Sequence, residues 1–428
     1  MTHDPVPATA AVGPGHGEGG IPGGRCPHFP LPDLPGIALD PERLALLHDE
    51  PLVPVRLAGG QQVLLVTRYA DVRTVLADPR FSREAWQGGT LFARKSATLA
   101  LATSDGPTHA RRRRAVQSWF THRRAEQARP RIAAIADELL DRIEAAGAPV
   151  DLVAEFTTPL AYRVTCDLLG IPFGDLDRLL PLVTVMMSAG RFPPDEVAAA
   201  QETMYGYVQD RLAERRPDPT TGAAPGGDDL LTALLTAPAE TRLSTEEITV
   251  FGFGLLMAGG ETTASHLAMC TLALLHRPEL TAALRRDPTL IPAAVEELLR
   301  WVWFVATGGQ PHVVTQEVEL AGRVLGVDEV VIPLTDAGNR DRDAFPDADE
   351  FRPDRAQNAH LGFGHGRHLC LGASHARVEL QEGLAAILRR LDGLELAMPE
   401  SALQWRDQMF IRGVWTLPVR WSGRNHAA

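Results

Sequence analysis

The stretch His360–Gly372 reads HLGFGHGRHLCLG and holds four glycines, three histidines and one cysteine, Cys370. Glycine has no Cβ, so it enters left-handed backbone regions and lets the chain approach a flat ligand closely. Phe363, Gly366, Cys370 and Gly372 set the pattern F-x-x-G-x-x-x-C-x-G. The residues that follow, ASHARVELQEGLAAILRRL, repeat apolar side chains at spacings of three and four, as an amphipathic helix does. Cys370 therefore stands just ahead of a helix N-terminus, where unpaired amides and the positive end of the dipole favour a thiolate. A thiolate so placed is a good axial ligand for haem iron and promotes O–O cleavage there. A lone cysteine is more often a buried structural thiol; the four-position pattern reverses that weighting.

The bulk composition leaves room for this reading. The chain has 428 residues, 45% hydrophobic and 22% charged, enough apolar surface for a large core. Its net charge of -12 argues against nucleic acid as a partner, since phosphate binding needs a basic face. Cys26, Cys166, Cys270 and Cys370 are too dispersed for a disulfide framework and suit a reducing cytoplasm. The N-terminus has no charged start followed by an apolar run, so no signal peptide is expected. The apolar run Phe251–Ala258 meets Gly259, Gly260 and Glu261 well short of the ~20 residues that span a bilayer, so no membrane partner is expected.

Along the chain, residues 1–25 are rich in Gly, Pro and Ala and read as a disordered tail, with His3 and His16 solvated. Residues 26–428 read as one catalytic domain. LVPVRL (Leu52–Leu57) and QQVLLVTRY (Gln61–Tyr69) predict a small hairpin sheet. Arg111–Arg215 is helical in pattern, Arg215–Asp229 a loop. Ser244 and Glu247 form a capping box that opens a helix of about thirty residues, about 45 Å long, ending near Pro278. That helix is apolar on nearly every side and so belongs in the core. A further helix is predicted over Ala293–Trp303, strands over Val313–Val331, and strand character in the tail FIRGVWTLPVRW. The fold class is mainly α with a minor β component.

In the middle of the long helix stands AGGETT, Ala258–Thr263. Two glycines cost the helix about 1 kcal/mol each relative to alanine. Threonine hydroxyls can bond back to an i−4 carbonyl and bend it. Together they can open a groove for O₂ and water, with Glu261 and Thr262 relaying protons as general acids. A solvent-facing polar patch is the alternative.

At these residues the sequence resembles the cytochrome P-450 family of haem-thiolate monooxygenases, and it is similar to the soluble bacterial members from about Asp33 to Trp421. The resemblance implies the cytochrome P-450 fold, with the long core helix crossing over haem b (iron protoporphyrin IX). It implies Cys370 as the iron ligand, with Phe363, Gly364 and Gly372 around the sulfur. AGGETT then matches the oxygen-activation motif, Ala258 lying against the haem, Glu261 the acid and Thr262 the alcohol. In HARRRRAV (His109–Val116), His109 and Arg113 would face the haem propionates, as would His368. The rest of that arginine run is either a solvated helix face or a patch that steers an acidic ferredoxin. Glu297 and Arg300, an E-x-x-R pair that is uninformative alone, would join Arg355 to fix the loop leading to Cys370. Two positions depart from the family: His312 stands where a propionate-binding arginine is usual, and His375 where leucine is. His312 is expected to keep the propionate contact, and His375 to affect only local packing.

The function so implied is insertion of one oxygen atom from O₂ into an apolar natural product, as hydroxylation or epoxidation. Oxidative ring closure or coupling on the same haem is the alternative, and a non-catalytic haem sensor a distant one. A zinc site at Cys370, His365 and His368 lacks a second ligand cluster. No flavin-type GxGxxG unit or iron–sulfur cysteine cluster is visible, so electrons are expected from a separate ferredoxin and ferredoxin reductase. Candidate substrate contacts are the segment Leu91–Thr103, Met186 and Met187, the segment WVWFVATGGQ before Pro311 with Val305, and the turn QMFI with Met409, Phe410 and Ile411, in a cytoplasmic enzyme.

Overall fold

Ser244 starts the core helix as its sequence predicts. Its hydroxyl accepts from the Glu247 amide at 3.1 Å, and the Glu247 carboxylate accepts from the Ser244 amide at 3.0 Å, a complete capping box. In the computed structural model, which describes residues 28–29, 36–37, 50–57, 60–86, 100–215 and 227–422, the helix runs on without a break. It comprises Thr245–Leu255, a π-helical turn over Leu256–Glu261, and Thr262–Leu275. The expected 1–25 tail, and residues 91–99 of the Leu91–Thr103 segment, lie outside the described residues.

The π-turn falls on the glycines of AGGETT, and packing explains it. A Cβ on Gly260 would lie 2.5 Å from the Tyr162 ring, and one on Gly259 would lie 3.0 Å from the Thr165 hydroxyl. Both partners belong to the helix Thr158–Leu169, which crosses in direct contact. The Thr262 hydroxyl donates back to the Ala258 carbonyl at 2.5 Å, the predicted i−4 bond. π-Turns inside α-helices are frequent at functional sites because they re-aim side chains.

Around this axis, the helix His122–Ala146 buries Ile132, Ile135, Leu139, Leu140 and Ile143 against the helix Ala373–Arg390 that follows Cys370. The strands are β1 (His28–Phe29), β2 (Leu52–Leu57), β3 (Gln62–Val66), β4 (Phe81–Ser82), β5 (Val150–Asp151), β6 (His312–Val314), β7 (Val318–Leu320), β8 (Arg323–Leu325), β9 (Val330–Pro333), β10 (Glu395–Leu396) and β11 (Pro418–Arg420). The main sheet has the order β1-β2-β3-β9-β6-β4, and the predicted hairpin is β2–β3, with Val53 opposite Leu65. The tail forms a strand only at β11; upstream, Trp405–Val414 and Val305–Ile411 are isolated bridges. Its amides there bond to scattered loop carbonyls, Arg412 to Phe304 at 2.7 Å and Trp415 to Gln404 at 2.8 Å. Among the described residues no helix is long and apolar enough to cross a membrane.

The helix predicted over Ala293–Trp303 spans Ile291–Trp301. It stops early because the Phe304 and Val305 amides bond instead to the Asp336 carboxylate, at 3.0 and 2.8 Å. On it, Glu297 and Arg300 are a buried pair: both side chains have no solvent exposure. Glu297 accepts from Arg300 at 2.7 and 2.8 Å, from Arg355 at 2.9 Å and from the Arg352 amide at 2.7 Å. Arg300 donates onward to the carbonyls of Asn339, Ala348 and Glu350. Removing one member of such a buried network leaves its partners charged and unpaired, at a cost of about 3–5 kcal/mol. Glu297→Ala is therefore expected to lower the urea-unfolding free energy by about that amount; a loss under ~1 kcal/mol would show the network to be dispensable.

Candidate active site

The cysteine loop is closed by its own backbone. The Cys370 amide donates to the Phe363 carbonyl at 2.8 Å, and Gly364 and Gly366 take φ of 73° and 68°. A Cβ on Gly366 would lie 2.5 Å from the Leu76 carbonyl oxygen, so only glycine fits there. The Cys370 side chain is exposed, but onto an internal cavity rather than to bulk solvent. Burial pushes its thiol up; the Gly372 amide and the charges of Arg113 and Arg377 pull it down without prevailing. The helix N-terminus expected to favour thiolate thus does not outweigh burial on its own, and a metal cation at the sulfur would supply what is missing.

The cavity has two lobes of about 310 and about 240 Å³, and Leu255, Ala258, Gly259, Cys370 and Gly372 belong to both. Together they fall in the roughly 300–1,000 Å³ range of ligand pockets. Ala258 and Gly259 of the π-turn line this space together with the cysteine. Ala258, Thr262 and Thr263 line the larger lobe, with Phe363 and Val305. Phe363 packs its ring 4.5 Å under the Arg377 guanidinium.

The smaller lobe carries the polar edge. His109, Arg113 and His368 all line it. The His109 and His368 rings lie 4.3 Å apart, and the His109 Nε2 is buried without a partner among the described residues. Burial, then the charges of His368 and Arg113, push His109 down to about 4, so it is neutral. His368 donates to Asp105 at 3.1 Å. Burial alone would raise the Asp105 carboxyl, but bonds from His368, the Glu84 amide and the Ser82 hydroxyl hold it well below the carboxylate range.

These residues fit a haem. A sulfur faces an apolar slot, an unpartnered buried imidazole and a guanidinium mark one edge, and a Cβ on Gly372 would meet nothing within 4 Å, leaving the floor open to a flat ring. The zinc alternative loses its other ligands: His365 accepts from Arg73 at 3.4 Å, and His368 is taken by Asp105.

Several predicted residues are placed elsewhere. Glu261 does not reach the larger lobe. Its carboxylate pairs with Arg406 and accepts from the Tyr162 hydroxyl at 3.2 Å, behind the helix. His312 does not line either lobe; its Nε2 accepts from Arg83 at 3.1 Å. Burial, and then the Arg83 charge, push it well below its ordinary value, so the expected propionate contact is not made by a charged imidazole. Met186 and Met187 are packed in the core at 1% and 2% exposure. The Val305–Ile411 bridge brings Ile411, not its neighbour Phe410, to the cavity with Val305. Arg111 and Arg112 both pair with Glu247, Arg112 buried and Arg111 still exposed at the surface.

Residues not singled out for the cavity also line it. His266, His375 and Glu379 face the larger lobe, each with a buried polar atom lacking a partner among the described residues. The His375 ring meets Phe120 edge-on at 5.7 Å, so the leucine-to-histidine change alters the cavity wall and not only packing. Burial pushes the Glu379 carboxyl well above its usual range. A histidine and a glutamate at i and i+4 behind the cysteine was the available signal.

A family model for cytochrome P450 matches residues 195–404. Mycinamicin IV hydroxylase/epoxidase of Micromonospora griseorubida is 42% identical over 400 residues, covering 92% of this chain and 98% of that enzyme. The solved structure of HinD with NMFT and NO agrees with a TM-score of 0.86 at 38% identity, over 93% of this chain and 100% of that one. Cytochrome P450mel 107F1, with biaryl coupling reactivity, agrees with a TM-score of 0.83 at 35% identity, over 90% and 97%. With the cysteine loop, the core helix and near full-length relatives in agreement, the chain belongs to the cytochrome P450 family and is a P450 monooxygenase.

Proposed function

We propose that the protein hydroxylates or epoxidises an apolar natural product, using haem b held through Cys370 and electrons from ferredoxin. The observation that carries this reading is that Cys370 and Thr262 line one cavity. When bound, the haem activates O₂, so that one oxygen atom enters the substrate and the other leaves as water with two electrons and two protons. His109, Arg113 and His368 hold its carboxylate edge, and Phe363, Gly364 and Gly372 shape the bed around the sulfur. Ala258 bounds the opposite face.

The protons come through the core helix. Thr262 is the hydroxyl at the cavity surface; its bond to Ala258 fixes the rotamer that presents the oxygen there. Glu261 is the acid behind it, stored against Arg406 and Tyr162. Phe304, Val305 and Ile411 give the substrate an apolar wall, and Asp336 fixes the first two through their amides. Relatives that act on mycinamicin IV favour oxygen insertion; the biaryl-coupling relative keeps oxidative coupling as the second outcome.

Three results are expected. Cys370→Ser should abolish the thiolate-type ferrous carbonyl spectrum along with turnover; a variant that kept both would sink the haem-thiolate reading. Thr262→Ala should leave reducing equivalents consumed but divert them to peroxide, lowering product per electron pair by roughly tenfold or more. Unchanged coupling would remove Thr262 from the proton path. His266 gives a pH signature. Burial and then the nearby His360 push it down to about 4, against 6.5 in an unfolded chain. Its contribution to stability is whole above pH 6.5 and is lost as pH falls toward 4, on the order of 3 kcal/mol in all. Urea titrations between roughly pH 7 and pH 5 should show that slope flattened in His266→Phe.

A further inference from the structure

The register of the main sheet brings two residues together that the sequence holds 229 positions apart. β4 pairs antiparallel with β6, Phe81 opposite Val314 and Ser82 opposite Val313, so Arg83 comes next to His312. Arg83 Nε donates to His312 Nε2 at 3.1 Å. A guanidinium only donates, so Nε2 is the acceptor and the imidazole proton is on Nδ1. That proton points at the Gln310 carbonyl, 2.9 Å away. His312 is thus a neutral strut, 2% exposed, locked in one tautomer behind the arginine. Arg83, not His312, lines the smaller lobe beside His109, Arg113 and His368.

We propose that Arg83 binds a haem propionate in place of the arginine usual at position 312, and that His312 positions it. The guanidinium has crossed to the neighbouring strand and kept its target. This inference rests on the haem-thiolate reading and adds a residue to it. Two further observations support it. The described residues lining the smaller lobe include two arginines and no Asp or Glu, so the lobe carries positive charge that a pair of carboxylates would match. Asp105 also fixes the turn: one carboxylate oxygen accepts from the Arg83 amide at 2.8 Å, the Ser82 hydroxyl at 2.8 Å and the Glu84 amide at 3.1 Å, while the other accepts from His368. One side chain thereby ties Arg83 to the cysteine loop. The other described contact of the Arg83 fork is long, Nη1 to the Ala102 carbonyl at 3.4 Å.

The test is the rate of haem transfer from holoprotein to excess apomyoglobin. Arg83→Gln should release haem roughly tenfold faster or more, as loss of a charge-assisted bond predicts, and Arg83→Lys should fall between it and the parent. His312→Arg added to Arg83→Gln should recover most of the retention, because it returns a guanidinium to the other strand. His312→Leu should speed release in the parent and add nothing to Arg83→Gln. With haem dimethyl ester, which has no propionate charge, Arg83→Gln and the parent should behave alike. Parental release by Arg83→Gln, or equal losses with haem and its ester, would overturn the proposal. Circular dichroism of each holoprotein identifies variants that fail to fold, and the lysine variant then carries the test. If the parent's ferrous carbonyl lacked the thiolate band, the haem-thiolate reading itself would fall, a separate result.

Discussion

One buried carboxylate, Glu297, holds the path of the chain into the active site. It accepts from two arginines and a backbone amide, and Arg300 passes the connection to three carbonyls between Asn339 and Glu350. The segment it gathers has little regular structure, so its backbone groups need such partners. Arg355 completes the clamp by donating to the Pro346 and Asp347 carbonyls at 2.5 and 2.6 Å. Five residues after Arg355 the cysteine loop begins. A covalent ligand to iron needs its sulfur placed within tenths of an ångström, and a loop alone cannot hold that.

The cavity divides its chemistry by region. Its smaller lobe gathers Arg83, His109, Arg113 and His368, all donors or potential donors. Its larger lobe is mostly apolar, and three titratable groups there besides Cys370 are held neutral by burial: His266 at about 4, His375 below its usual value, Glu379 well above. A cofactor with an anionic edge and an apolar face would be oriented by this division. Neutral groups in the larger lobe also leave an apolar substrate without fixed charges to desolvate.

What the sequence made legible was local. The capping box at Ser244, the glycines of AGGETT, the i−4 bond of Thr262 and the turn chemistry around Cys370 depend on neighbours in the chain, and each has its expected form. What it hid was set by distant contacts. The i,i+3 spacing of Glu297 and Arg300 says nothing of burial, and only the family resemblance joined them with Arg355 to the loop before Cys370. Met186 and Met187 read as pocket residues because adaptable side chains suit pockets and cores alike. Arg83 gave no signal, since its importance lies in a strand pairing with His312, far along the chain. The departure at His312 was visible, but its compensation was not.

The core helix turns two adjacent polar side chains in different directions. In a regular α-helix, Glu261 and Thr262 would diverge by about 100°, and the π-turn that ends at Glu261 shifts that relation further. Thr262 meets the cavity, while Glu261 turns to Arg406 and Tyr162. An ionised carboxylate facing an apolar cavity would carry a heavy desolvation cost, and pairing it outside the cavity avoids this. The glycine at 260 permits the arrangement, because it lets Tyr162 close against the helix where the acid needs a donor. The paired carboxylate and the cavity-lining hydroxyl are thus separated by one peptide unit, and the tight packing of Thr158–Leu169 against the glycines keeps them so.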